Sequence, residues 1–102
     1  MRLNSYSDPG HGWVAVPLPL LNKLGIIDQI STYSYMRGML AHLEEDCDLS
    51  TFMHAASVAG MKITFKHHNS RYNRSRIRGY DPFTPARARA AIAAAAAIET
   101  IN

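Results

Sequence analysis

The residues with the most chemical potential lie between Lys62 and Tyr80, KITFKHHNSRYNRSRIRGY. Six Lys or Arg residues occur there with no acid, and Phe65, Tyr72 and Tyr80 stand among them. Arg74, Arg76 and Arg78 occupy every second position, so an extended chain turns all three to one side; Arg71 and Tyr72 precede them. Guanidinium forks match phosphate or carboxylate oxygens in pairs, and tyrosine rings stack on unpaired bases. With Lys66 and His68 ahead of them and Tyr80 behind, these residues form a candidate surface for RNA, for single-stranded DNA or for an acidic groove on another protein. The competing reading keeps the arginines inside the domain, paired with Glu44, Glu45, Asp46 and Asp48, the one concentrated negative patch. Exposed pairs of that kind contribute little each.

The remaining reactive side chains make poorer constellations. Five histidines are present, and His42-x-Glu44 on a strand would place two ligand types on one face. Neither Cys-x-x-Cys nor His-Glu-x-x-His occurs, so no metal site and no cofactor is expected. His54 is expected on a helix surface, His67 near the core face of its strand and His68 within the basic surface. A hydrolase built on His11 and Cys47 ranks last, because flanking acids disfavour the thiolate. Asp8-Pro9-Gly10-His11-Gly12-Trp13 precedes a strand where phosphate loops follow one, and reads as a tight entry to the sheet with Trp13 anchoring the core edge. The acids at 44–48 are too densely spaced for an EF-hand loop and lack its glycine.

A chain of 102 residues supports one modest core. The single Cys47 excludes an internal disulfide framework, and with no apolar run of bilayer length and no signal-peptide segment the expectation is a protein of the cytoplasm. Net charge is only +3, but its signs are segregated. Residues 1–61 hold six acids against three bases, a balance of −3, whereas residues 62–89 hold eight bases against Asp81 alone, a balance of +7. Such polarity steers an acidic partner to one side of the molecule. It also excludes a DNA mimic, which needs a broad negative surface.

The elements that must position these residues follow from pattern. Trp13-Val14-Ala15-Val16 predicts a first strand at 12–16, with structure beginning only after the SDPGHG turn. PLPLLNKLG predicts a short helix at 18–24, and Ile26 to Ile30 an apolar connector. Ser31 to Tyr35 and Met39 to Leu43 predict a hairpin turned at Met36-Arg37-Gly38. Leu49, Phe52, Met53, Ala56 and Ala59 predict a helix over 49–59, with Asp48 as N-cap and Gly60 as its stop. A strand at 61–67 leads into the basic arm, 68–80. Thr84-Pro85 then opens an alanine-rich helix as N-cap and N1. Its stripe of Ile92, Ile98 and Ile101 suits docking on the domain or on a second copy, giving a homodimer. The expected class is α+β: a four-stranded antiparallel sheet in ferredoxin-like β-α-β-β-α-β order over residues 1–83, with residues 84–102 as an appended helix.

DPGHGW, the Tyr-Ser-Tyr segment, LEEDCD and SRIRGYDPFTP together resemble small proteins encoded by bacteriophages and mobile elements, over residues 7–85 and not the alanine tail. The resemblance implies a compact accessory protein of a bacterial host's cytoplasm, a class that includes anti-CRISPR and other inhibitors of host defence. It transfers no role to a named residue. The expectation is therefore a non-enzymatic inhibitor that binds a defence complex stoichiometrically through its basic surface, meeting an acidic protein surface or guide or target nucleic acid. A nucleic-acid-binding protein using the same arm is the alternative, and a hydrolase the third.

Overall fold

The computed structural model describes residues 1–70 and 73–101. The chain runs β1 (Arg2–Ser7), β2 (Gly12–Pro17), α1 (Leu18–Lys23), β3 (Tyr35–Arg37), β4 (Leu40–Glu44), α2 (Leu49–Val58), β5 (Thr64–Asn69), β6 (Asp81–Pro82) and α3 (Pro85–Ile101). Short 3-10 turns occupy Ile27–Gln29 and Arg76–Gly79. The class is α+β, with a six-stranded mixed sheet ordered β5-β1-β2-β4-β3-β6. Among the described residues no helix is long and apolar enough to cross a membrane.

The four-stranded ferredoxin-like expectation is corrected by two additional strands. The segment before the SDPGHG turn is not a disordered lead-in; it is β1, which forms a hairpin with β2 and lies parallel to β5 with Leu3 opposite Phe65. That parallel pairing joins residues about sixty positions apart, and Leu3 is the only aliphatic residue in RLNSYS, so local pattern carried no signal for it. Removing β1 and β6 leaves β5-β2-β4-β3, the spatial order that the expected topology requires. The insertion therefore widens the sheet without undoing its two crossovers.

The hairpin is shifted by a few residues. Ser31 to Ser34 form a turn rather than a strand, because Ser34 is fully buried and bonded to Asp48, and pairing begins only at Tyr35. Arg37 pairs with Leu40 across a two-residue turn in which Gly38 adopts φ +58, open to glycine at little cost. Helix α2 ends where expected, at Gly60 with φ +74. Asp48 does stand at its N-cap position, but its carboxylate does not cap the helix. It accepts instead from the Ser31 amide and from the Ser31 and Ser34 hydroxyls, tying the turn before β3 to the start of α2. At α3 the expected cap is present, with the Arg87 amide donating to Thr84 Oγ1 at 3.1 Å.

Alternation along the strands divides the sheet into two faces. Leu3, Val14, Val16, Met36, Ala41 and Leu43 face one side and pack with Leu18 and Leu21 of α1, Phe52 and Ala56 of α2, and Ala88 of α3. Helix α3 thus docks on its own chain through Ala88, with Ala91 and Ile92 against the same core, while Ile98 is exposed and the side chain of Ile101 lies outside the described set. The opposite face carries no helix, yet Trp13, Ala15, His42 and Glu44 on it are buried. Phe83, fully buried, ends the chain's passage over that face and enters the main core. Phe83→Ala is expected to cost about 3–5 kcal/mol, against less than about 0.5 kcal/mol for Val58→Ala on the open side of α2; urea denaturation of both variants checks this.

Candidate functional site

The cover on the helix-free face is the basic arm itself. At the end of β5 the Ser70 amide donates to the Ser7 carbonyl, and further along Ser75 caps the 3-10 turn, accepting from the Ile77 amide. Ile77 is buried there, outside the main core, as the apolar anchor of the arm. This explains why β2 is buried at every position from Gly12 to Val16: helices cover one face and the arm the other.

One carboxylate fastens this arrangement. Asp8, in the β1–β2 turn, accepts from the Gly10 and His11 amides at 3.0 Å each, which shapes the turn, and from the Ser75 amide at 2.9 Å. Arg78 then closes on it with two parallel bonds, Nε to Oδ2 at 2.7 Å and Nη2 to Oδ1 at 2.8 Å. The same guanidinium lies 5.4 Å from the Trp13 ring centroid. Arg78, expected on the binding surface, is thus committed to the fold through Asp8. Its partner also differs from the acids at 44–48: among the described residues, no arginine pairs with that cluster. The Arg78 bonds and then the three amides hold the Asp8 carboxyl well below the usual carboxylate range, against the opposing effect of burial.

The other predicted residues distribute as follows. Arg74 and Arg76 are exposed, make no ion pair among the described residues, and line a cleft of about 710 Å³ between arm and sheet. Tyr80 lines it too, half-buried, with its ring edge-on to His42 at 5.1 Å. His68 is half-buried on β5, stacked on Tyr6 at 4.9 Å and hydrogen-bonded with Asn4. Lys66 is exposed on the same face of β5, opposite Asn4. Arg71 and Tyr72 lie outside the described residues. His54 is on the exposed side of α2, and His67 shares the core-facing side of β5 with Phe65, in contact with Ser5.

Sequence reasoning missed Tyr6, Arg37 and His42 as walls of this cleft. Arg37 sits 5.1 Å over the Tyr80 ring, adding a third cation to Arg74 and Arg76. His42 is 6 % exposed and its Nδ1 has no partner. Desolvation lowers its pKa to about 4, so the imidazole is neutral at physiological pH. A period of two running Tyr35, Arg37 on one strand and Leu40, His42, Glu44 on the next was the available signal for this polar face. Cys47 is exposed, and desolvation, then its hydrogen bond to Glu44 and the charges of Asp48 and Asp46, raise its thiol pKa. That chemistry gives no activated nucleophile.

No protein-family model, curated protein or solved structure matches this chain.

A depressed carboxyl pKa stabilises the folded state above the unfolded-state value, near 4, and that stabilisation fades as pH falls from there toward the folded value. Asp8→Asn is expected to lower Tm by several degrees at pH 7. The difference from the wild type should narrow below about pH 4, where the unfolded wild-type carboxyl takes up its proton. Thermal melts of both proteins across pH 2 to 7 test it.

Proposed function

We propose that this protein acts by binding and not by catalysis, and that the cleft between the arm and the helix-free sheet face seats a segment of single-stranded nucleic acid. The observation that carries this reading is the gathering of cations and aromatic rings around one concavity: Arg74 and Arg76, without an ion pair among the described residues, with Arg37 over the Tyr80 ring and Tyr6 beside them. Phosphates would meet the guanidiniums and unpaired bases the rings, each stacked base contributing about 1–3 kcal/mol. Rings lining a cleft suit a single strand, whose bases are free to turn inward, better than a duplex.

Resemblance to phage-encoded accessory proteins supplies the setting. In this reading the protein is a stoichiometric inhibitor in the cytoplasm of a bacterial host, occupying the guide or target strand of a defence complex. Arg71 and Tyr72 belong to the same basic run of the sequence. The acidic-groove reading differs in its salt response, since counterion release makes phosphate binding fall steeply as salt rises while an apolar protein contact persists.

Fluorescence anisotropy with labelled oligo-dT and oligo-U should report saturable binding. The double variant Arg74→Ala, Arg76→Ala should weaken it at least tenfold and reduce the slope of log affinity against log salt by about 1.4, two single-strand phosphate contacts. Its circular dichroism should match that of the wild type, since neither side chain is spent on the fold. Absence of oligonucleotide binding, with salt-resistant capture of a host protein from nuclease-treated lysate that the double variant loses, would replace this reading with the protein-groove one.

A further inference from the structure

A second group of ligand-type side chains lies away from the basic cleft, assembled from separate segments. His11 comes from the β1–β2 turn, Glu44 from the end of β4 and Asp46 from the loop before α2; one ligand atom from each lies within 4.8 Å of the others. We propose that these three residues bind a divalent first-row transition ion, Zn2+ foremost, which pins the turn to the loop.

The geometry is close to what such an ion needs. Ligand atoms bound at about 2.0–2.2 Å to one tetrahedral ion stand roughly 3.4 Å from each other. His11 Nδ1 and Glu44 Oε1 are already 3.3 Å apart. Glu44 is buried, and its other oxygen accepts from the Asp46 amide at 2.8 Å, an outer bond of the sort that orients a ligating carboxylate. Asp46 and His11 are exposed, so each can close the remaining gap by side-chain rotation. One imidazole with two carboxylates suits Zn2+ better than Ca2+ or Mg2+, which prefer oxygen alone.

Proximity of acids alone would not carry the proposal, because such groups often stand together with no ion. The second observation comes from Trp13, which lines the same 260 Å³ pocket with these three residues. Trp13 is 2 % exposed, and its Nε1–H has no acceptor in the protein. An oxygen held in an open coordination position of the ion is the acceptor such a donor calls for. Arg78, which lines the same pocket, is bonded to Asp8 through its Nε and Nη2 edge and makes no ion pair with Glu44 among the described residues. This pocket shares no lining residue with the basic cleft, so the ion site stands whatever that cleft binds.

Trp13 is the only tryptophan in the chain and reports on the site directly. Chelator-treated full-length protein should take up one equivalent of Zn2+ by calorimetry, and Co2+ should quench Trp13 fluorescence with the same stoichiometry. His11→Ala and Asp46→Asn, both at exposed positions, should each weaken Zn2+ at least tenfold with unchanged circular dichroism, since even outer-shell losses cost that much. Cys47→Ser should leave affinity unchanged. No saturable uptake at millimolar Zn2+, uptake that survives the His11→Ala, Asp46→Asn double variant, or uptake lost on His67→Ala or His68→Ala instead would each overturn the assignment.

Discussion

The Asp8–Arg78 fork is the contact on which the rest of the molecule depends. A carboxylate with five donors, three of them backbone amides, both shapes the β1–β2 turn and holds the far end of the arm. Without that anchor the segment between β5 and β6 would keep Ile77, the Ser70–Ser7 bond and the Tyr80 ring contacts but lose its charged tie to the turn, and the cover over Trp13, Ala15 and His42 would loosen. Lysine could not substitute: a single ammonium presents no planar fork and would not lie flat over the Trp13 ring. The fork also explains the glycine at position 10, where a Cβ would come within 2.8 Å of Arg78 Nη2.

A fastened arm changes what kind of binding surface the basic stretch offers. A loose Arg-rich tail would lose conformational freedom on meeting any partner, at about 1–2 kcal/mol per residue of ordered backbone. Here the Ser70 and Ser75 bonds and the buried Ile77 have already met much of that cost during folding, so Arg74 and Arg76 are displayed from an arch of restricted length. Preorganisation of this kind favours affinity without adding contacts. It also separates two roles within one run of alternating arginines: Arg78 holds the arch and its two predecessors face solvent.

How much of this was legible in the sequence follows from the range of the interactions involved. Helix α2, helix α3 with its Thr84 cap, and the stop at Gly60 rest on contacts within a few residues, and their pattern is plain in the chain. Strand β1 rests on pairing with β5 at the other end of the domain, and RLNSYS by itself carries too little apolar content to announce it. The serines at 31 and 34 depart from the strand pattern for a related reason. Their β-compatible neighbours suggested a strand, but the deciding term is a buried carboxylate, Asp48, some fifteen positions away. The basic stretch stands out by its charge, yet alternation alone does not reveal that one of its arginines pairs with Asp8, or that His11 and Glu44 meet.

Charge segregation along the chain acquires a spatial meaning once the arm is folded down. The arm could have neutralised itself against the acids at 44–48, and simple attraction would favour that. Three constraints oppose it: Glu44 is engaged by His11 and by the Asp46 amide, Asp48 is buried among serines, and Arg78 is committed to the turn. Glu44 and Asp48 are therefore used locally, Asp46 faces the other pocket, and Arg74 and Arg76 make no ion pair among the described residues. The two pockets consequently differ in character, one lined by Arg37, Arg74 and Arg76 and the other by Glu44 and Asp46, with Arg78 and Trp13 in the lining of the second. The two proposed ligands, a nucleic-acid strand and a metal ion, would then each meet a lining of opposite charge on one small sheet, with the Asp8–Arg78 pair fixing the arm that forms the cleft.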